Sequence, residues 1–213
     1  RSADGKTRLN VNSHQPWSGP VAWHEVHLVS EEGWNMTGAN FPGAPVVLVG
    51  HNDHLGWGLT VNSPDFVDVY KLEVNPANKK QYKFEGQWKD FEVHEGEIEI
   101  DVGLFNYTWK PTLYRSIHGP VLETAHGMYA IRYAGHGHLI KAAEQWYRMN
   151  KAKTFEEWQT AMKIMGIPMF NAIYADKAQN IFYVYNGRLP IRKEGINWHT
   201  ILPGDKKELI WTE

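Results

Sequence analysis

The chain has 213 residues, of which 42% are hydrophobic and 22% charged, and this balance is typical of a folded globular protein. Its formal net charge is only -2 and no apolar run approaches the roughly 20 residues that span a bilayer, so neither nucleic-acid nor membrane binding is predicted. Cysteine is absent, which excludes disulfides, thiolate metal sites and a cysteine nucleophile within these residues.

The N-terminal part of the chain predicts β-strands. Residues 21–29 alternate apolar and polar side chains, which indicates a strand with one buried face. Residues 46–50 form a continuous apolar run, which favours a strand covered on both faces. Two further strands are predicted over 55–61 and 66–74, separated by the break at Asn62-Ser63-Pro64.

Between about residues 75 and 135 the pattern predicts a β-rich lobe inserted after the first strands. Short strand-like runs, separated by Gly, Pro and Asn, indicate an antiparallel meander. These runs cover residues 81–84, 91–102, 105–109, 113–117 and 128–132.

Two helices are predicted next. The first covers about residues 139–150, and its predicted core-facing side consists of Leu139, Ala142, Ala143, Trp146 and Tyr147. The second begins with a capping box, in which Thr154 caps the first turn and Glu157 reaches back. Its side chains at helical spacing, predicted to lie in the core, are Phe155, Trp158, Met162 and Met165.

The chain then returns to a strand pattern. Residues 171–175 and 180–185 predict a hairpin joined by a turn at 176–179, whereas the polar tail over 192–213 predicts no clear element. Strands, two helices and strands again indicate an α+β layered domain.

Local motifs alone do not assign a chemistry. His24 and His27 are three residues apart on a predicted strand, so their side chains point to opposite faces and cannot share a metal ion. The chain has no His-Glu-x-x-His motif, no Gly-x-Ser-x-Gly elbow and no phosphate-binding glycine loop. We therefore interpret the eleven histidines as structural or solvent-facing.

Three stretches stand out by their order and spacing. Residues 1–17 have a glycine turn before an Asn-Ser-His motif, and residues 38–61 contain Pro-Gly-Ala-Pro, Gly-His-Asn and Trp-Gly in turn. Residues 170–192 begin with Phe-Asn-Ala and end with Gly-Arg-Leu-Pro-Ile-Arg. Together these stretches resemble the β-chain of the penicillin acylase family, and in detail its acyl-homoserine-lactone acylase branch.

The resemblance implies part of an αββα N-terminal-nucleophile hydrolase sandwich, with the antiparallel β lobe inserted and the two helices adjacent. In such enzymes a Ser exposed by self-cleavage attacks an amide carbonyl, and its own α-amine serves as the base. The implied substrates are small N-acyl compounds, either β-lactam antibiotics with acyl side chains or acyl-homoserine lactones.

Individual site residues follow from the matched positions. His14 matches the histidine beside the nucleophile, and Val61 matches a residue whose backbone N–H stabilises the oxyanion. The acyl pocket is expected to involve Gln15, Trp17, Met169 and Phe170. Gln15 departs from the aromatic residue expected there in the lactone-acylase branch, which weakens an expectation of long-chain specificity.

No cofactor is expected to be required, but the resemblance implies a candidate structural calcium site. Asp65, Val67 and Asp68 match positions that supply two carboxylates and a backbone carbonyl, and oxygen ligands suit a hard cation. Ordinary solvated aspartates in a turn and a strand are an equally good explanation of these residues.

Arg1 cannot be the nucleophile, because it is not Ser, Thr or Cys, and the amine of Ser2 is in a peptide bond. We therefore expect an internal β-chain fragment that hydrolyses no amide alone and whose partners are the α-chain and the remaining β-chain of a precursor. An exposed sheet edge leads us to expect that the fragment dimerises. A periplasmic or secreted bacterial location is expected.

Two other functions remain open from the sequence. A domain that kept the acylase fold but lost the nucleophile would be a non-catalytic binding or structural module. The aromatic-rich strands would also suit a carbohydrate-binding module, for which there is no further support.

Overall fold

The computed structural model describes residues 2–212, which contain seventeen strands, two α-helices and one 3₁₀ helix. The first four strands are β1 (His24–Ser30), β2 (Trp34–Asn40), β3 (Val49–His51) and β4 (Leu55–Thr60). The next ten are β5 (Val67–Leu72), β6 (Val74–Asn75), β7 (Asn78–Phe84), β8 (Gln87–Asp90), β9 (Glu92–Glu95), β10 (Ile98–Asp101), β11 (Asn106–Trp109), β12 (Thr112–Ser116), β13 (Gly119–Thr124) and β14 (Gly127–Tyr133). The remaining elements are α1 (Leu139–Lys151), α2 (Phe155–Met162), β15 (Met169–Asp176), β16 (Ile181–Gly187), β17 (Leu202–Pro203) and the 3₁₀ helix Lys207–Leu209.

The chain divides into two compact units, the first made of residues 2–65 and 135–188 and the second of residues 66–134 and 189–212. The first unit contains an antiparallel sheet with the order β1-β2-β3-β4-β15-β16. Helices α1 and α2 cover one face of this sheet, so the predicted α+β class is confirmed. Its buried core consists of Met36, Val47, Leu55, Trp57, Leu59, Met149, Ala152, Trp158, Ala161, Ile167, Ala172 and Tyr174.

Helix α1 lies where the sequence predicted it, and Ala142 and Trp146 pack against the core as predicted, but the rest of its predicted core-facing side is wrong. Leu139 is 76% exposed and Tyr147 is 37% exposed, whereas the polar residues Gln145 and Asn150 are fully buried. The Gln145 side-chain oxygen accepts hydrogen bonds from two backbone N–H groups, those of Gly166 and Ile167, at 2.8 and 2.9 Å. These hydrogen bonds offset the cost of removing the amide from water, and a hydrophobic pattern does not reveal them.

The strand predicted over 46–50 is present but displaced, since β3 is Val49–His51 and overlaps the predicted range only at Val49 and Gly50. Val46 to Leu48 are buried, as their apolar character predicted, but they join no ladder. The side chain of Asn150 accepts from the N–H of Val47 and donates to its C=O, so a side chain replaces the strand partner.

Helix α2 begins as predicted, with the hydroxyl of Thr154 accepting from the N–H of Glu157 at 3.2 Å. The Glu157 carboxylate also reaches back, and it accepts from the N–H of Lys153 at 2.7 Å. Trp158 is fully buried, as predicted, but Met165 lies beyond the end of the helix. Neither helix of the described chain combines the length and the apolar character needed to cross a membrane.

The second unit contains a larger sheet with the order β17-β5-β14-β13-β12-β9, a three-stranded sheet β6-β7-β8 and the hairpin β10-β11. The predicted strand over 91–102 is two strands, because β9 pairs with β12 whereas β10 pairs with β11. Strands β8 and β13 were not predicted, and neither was β17 in the polar tail. The core of this unit consists of Tyr70, Leu72, Tyr82, Phe84, Phe91, Met128, Ala130, Leu202 and Leu209.

Candidate functional site

Residues 7–13 form an extended segment, here called the strap, that lies along β4 on the face opposite the helices. Hydrogen bonds fix both of its ends. The Thr7 hydroxyl donates to the C=O of Asp176 at 2.6 Å, and the Ser13 hydroxyl donates to the C=O of Leu59 at 2.6 Å.

Two glycines of β4 allow the strap to approach so closely. A side chain at Gly58 would put its Cβ 2.1 Å from Val11 Cγ2, and one at Gly56 would lie 3.4 Å from Leu9 Cδ2. Any other residue at Gly58 would therefore have to displace Val11. The alternation of glycine with Leu55, Trp57 and Leu59 gives β4 one face for the core and one for the strap.

The strap ends near the C-terminal end of β4, and His14 is the residue that follows it. Ser13, which precedes His14, is bonded to Leu59, and Val61 lies two residues further along the chain than Leu59. The indole N–H of Trp23 donates to the C=O of Ser13 at 3.3 Å and also holds this end of the strap. The side chains of His14 and Val61 are both exposed, so this end of the sheet is open to solvent.

The backbone C=O of Val61 accepts a hydrogen bond from a side chain of strand β15. The side-chain amide of Asn171 donates to the C=O of Val61 at 3.4 Å and to the hydroxyl of Thr60 at 3.2 Å. Asn171 is itself oriented by the hydroxyl of Tyr183, which donates to it at 2.8 Å. Within residues 2–212 the N–H of Val61 donates no hydrogen bond, so this donor is available.

Of the four predicted pocket residues, Met169 and Phe170 lie at this end of the sheet, whereas Gln15 and Trp17 form no hydrogen bond or ring contact with them within residues 2–212. Met169 and Phe170 start β15, which pairs with β4 through Asn171 and Thr60, so they lie at the same end of the sheet. Both side chains are half-buried. Gln15 is half-buried and Trp17 is fully exposed, and no hydrogen bond or ring contact joins either to Met169 or Phe170 in the described part of the chain.

A cavity of about 740 Å³ lies beside the strap, between it and strands β2, β3 and β4. Its walls combine apolar strap residues with polar side chains that include Glu25, His51 and Asp53. None of the predicted pocket residues lines it. The sequence did not predict this cavity, because it depends on the strap lying over strands far away in sequence.

Of the predicted calcium ligands, Asp68 is the buried one. Its Oδ2 atom accepts from Arg192 Nε at 2.9 Å and from Trp211 Nε1 at 2.5 Å. Its Oδ1 atom is buried and has no hydrogen-bond partner among residues 2–212, and such an oxygen suits a hard cation. Val67 is exposed and Asp65 belongs to the first unit.

The charge of Asp68 acts on the neighbouring Tyr70. Burial and then the charge of Asp68 raise the pKa of Tyr70 above its usual value of 10.0. No cluster of three His, Cys, Asp or Glu side chains that could hold a metal occurs between residues 2 and 212. The calcium site therefore stays a prediction, supported by the Oδ1 atom alone.

Comparison with known sequences identifies the family of this chain. The sequence model of the penicillin amidase family matches residues 1–213. The chain belongs to the penicillin amidase family. This confirms the resemblance to the penicillin acylases that the sequence motifs indicated.

Named members of the penicillin amidase family are similar over most of the chain. The acyl-homoserine lactone acylase PvdQ of Pseudomonas syringae pv. syringae is 28% identical over 194 residues, which cover 86% of this chain and 24% of that protein. Penicillin G acylase of Escherichia coli is 30% identical over 214 residues, which cover 97% of this chain and 24% of that protein. The chain therefore spans about a quarter of the length of these relatives.

A solved structure of the family has the same fold. Thermostable penicillin G acylase from Alcaligenes faecalis superposes with a TM-score of 0.75 at 27% identity, covering 89% of this chain and 34% of that one. The fold of this chain is thus that of part of a penicillin amidase.

Proposed function

We propose that the whole protein carrying this chain is an amidohydrolase that removes the acyl group from N-acyl substrates by way of an acyl-enzyme. The similar proteins are named for penicillin G and for acyl-homoserine lactones, so these two classes are the first substrates to consider. The αββα sandwich, the α-chain and remaining β-chain as partners, and a periplasmic or secreted bacterial location belong to the same proposal.

In the proposed reaction an N-terminal Ser, supplied from outside these residues, attacks the amide carbonyl. Its hydroxyl proton passes through water to its own α-amine and then to the leaving nitrogen, so that the C–N bond breaks and an ester remains. Water then hydrolyses the ester and releases the acid. Both steps pass through a tetrahedral oxyanion that needs a hydrogen-bond donor.

The observation that carries the proposal is the available N–H of Val61 at the open end of β4. An unpaired backbone donor that is held rigidly is what an oxyanion requires, because no reorganisation is needed as charge develops. Asn171 binds the C=O of Val61, which lies in the next peptide group, and the hydroxyl of Thr60, so it holds the residues on either side of this N–H. Removal of such a donor costs about 100- to 1000-fold in kcat in comparable hydrolases.

In the proposed site His14 lies near this donor, because Ser13, which precedes it, is bonded to Leu59 near the end of β4. Its imidazole is exposed and has two ring nitrogens that can donate or accept a hydrogen bond, so it can orient the water between the Ser hydroxyl and the α-amine. In the proposed site Met169 and Phe170 form one wall of the acyl pocket, with Gln15 and Trp17 at its entrance. A calcium ion at Asp68 is proposed as a structural element, outside the chemistry.

The test is acyl release by the full-length protein. We expect mass spectrometry to show a self-cleaved product with an N-terminal Ser, and chromatography to show free acid from N-acyl homoserine lactones or penicillin G. Substitution of that Ser by Ala should abolish both the release and any acyl adduct. A mature protein that releases no acid from either class would instead support the non-catalytic domain.

A further inference from the structure

The backbone of Phe170 has an unusual conformation at the start of β15. Its φ of 119° lies in the positive region that non-glycine residues rarely adopt. Such conformations persist only where the surroundings hold them, and they concentrate at functional sites. The N–H of Phe170 is bound by the side-chain oxygen of Asn62, at 2.8 Å.

Asn62 binds a second strand as well. Its side-chain N–H donates to the C=O of Asn186 at 2.8 Å, and Asn186 is the residue that pairs with Phe170 across the β15–β16 hairpin. The side chain of Asn186 donates in turn to the C=O of Ile167 at 2.9 Å. Asn62 is only 7% exposed, so water cannot easily replace these hydrogen bonds.

The hydrogen bonds of Asn62 matter for the proposed site because Asn62 is next to Val61 in the chain. Asn62 directly follows Val61, and therefore its side chain ties the chain one residue beyond the donor to the strained backbone of Phe170. Asn171, the next residue after Phe170, holds the carbonyl of Val61. The oxyanion donor and the acyl-pocket wall of the proposed site are thus joined by two short connections.

We infer that Asn62 is a positioning residue that fixes the N–H of Val61 relative to the pocket wall at Met169 and Phe170. The inference rests on the proposed function and extends it. Asn62 acts through these neighbours and need not touch the substrate. Loss of its side chain should relax Phe170 and shift the donor, and small misplacements of this kind lower the rate of the chemical step.

The test compares Asn62→Ala, Asn62→Asp and Asn150→Ala in the full-length protein. Asn150 is a matched control, because it is a buried asparagine that also binds backbone groups but lies in helix α1. We expect Asn62→Ala to lower kcat about 10- to 100-fold with little change in KM, and to alter the ratio of kcat/KM between short and long acyl chains. Asn62→Asp keeps an acceptor for Phe170 and should restore part of the rate.

Two outcomes would overturn the inference while leaving the proposed function intact. One is a kcat loss in Asn62→Ala no greater than in Asn150→Ala at an equal loss of thermal stability. The other is unchanged hydrogen-exchange protection of the Phe170 amide in Asn62→Ala. A wild-type protein that releases no acid overturns the proposed function, and with it the catalytic part of this role.

Discussion

The side chain of Asn150 satisfies both backbone polar groups of Val47, 103 residues away in the sequence. Its oxygen accepts from the Val47 N–H at 3.0 Å, and its nitrogen donates to the Val47 C=O at 2.8 Å and to the C=O of Trp146 at 2.8 Å. Helix α1 is thereby joined to a buried, non-ladder segment of the sheet layer. The amide acts as the missing strand partner.

Asn150→Ala should destabilise the protein by about 2 to 4 kcal/mol, because it leaves a buried N–H and a buried C=O unsatisfied. Urea unfolding would show this as a lower midpoint. The exposed Lys141 on the same helix provides the control, and Lys141→Ala should change stability by less than about 0.5 kcal/mol. Equal midpoints for the two variants would contradict the role of Asn150.

Gly58→Ala should displace the strap from β4, because the new Cβ would lie 2.1 Å from a methyl carbon of Val11. We expect a loss of about 1 to 3 kcal/mol in unfolding free energy. Val11→Ala in the same protein should recover part of this loss by making room, so the double-mutant cycle should show a coupling. Additive effects would mean that Val11 is not the obstacle.

Protein stability should depend on the protonation of His118, which is buried and whose Nε2 lies 2.8 Å from the C=O of Gly204. Burial lowers the pKa of His118 below its usual value of 6.5, with Arg132 adding to the decrease and the Gly204 carbonyl opposing it. The unfolded chain therefore takes up the proton first as pH falls. Stability from this group is complete above about pH 6.5 and is lost as pH falls from there towards the lower folded-state pKa.

Urea unfolding between pH 5 and 8 would measure this dependence. His118→Gln should make the slope below about pH 6.5 shallower, because it removes the contribution of this group. The exposed His126 is the comparison, and His126→Gln should keep the full slope. A wild-type stability that does not fall on acidification would count against a depressed pKa at His118.

Val61→Pro and Val61→Ala should differ in the full-length protein, because only proline removes the backbone N–H. In the proposed reaction Val61→Pro should lower kcat about 100- to 1000-fold, whereas Val61→Ala should retain most of the wild-type value. Steady-state acyl release from a penicillin or a lactone would measure both. Similar rates in the two variants would exclude the Val61 amide as an oxyanion donor.

Calcium at Asp68 should appear as a metal-dependent melting temperature. If the unpaired Oδ1 atom is a ligand, millimolar Ca²⁺ should raise the Tm and a chelator should lower it, whereas Mg²⁺ should have less effect. Asp68→Asn should abolish the response. A Tm that is the same with Ca²⁺ and with chelator would rule the site out.

The sequence by itself determined the elements whose signals are local. Helix α2 is set by its cap at Thr154, and the hairpin β15–β16 follows from two strand patterns around a turn. The three spaced motifs pointed to the family, and the family match over residues 1–213 confirmed it. Such signals depend on neighbours within a few residues, so a linear pattern contains them.

Only the tertiary structure decided which polar residues are buried and where the backbone groups of the sheet find partners. Gln145 and Asn150 are polar and were not among the predicted core-facing residues, yet contacts with distant backbone groups make them core residues. The apolar run at 46–48 looked like a strand and is not one, for the same reason. The end of β4, where Ser13 binds Leu59 and Asn62 binds Phe170, is likewise built by hydrogen bonds between segments far apart in the sequence.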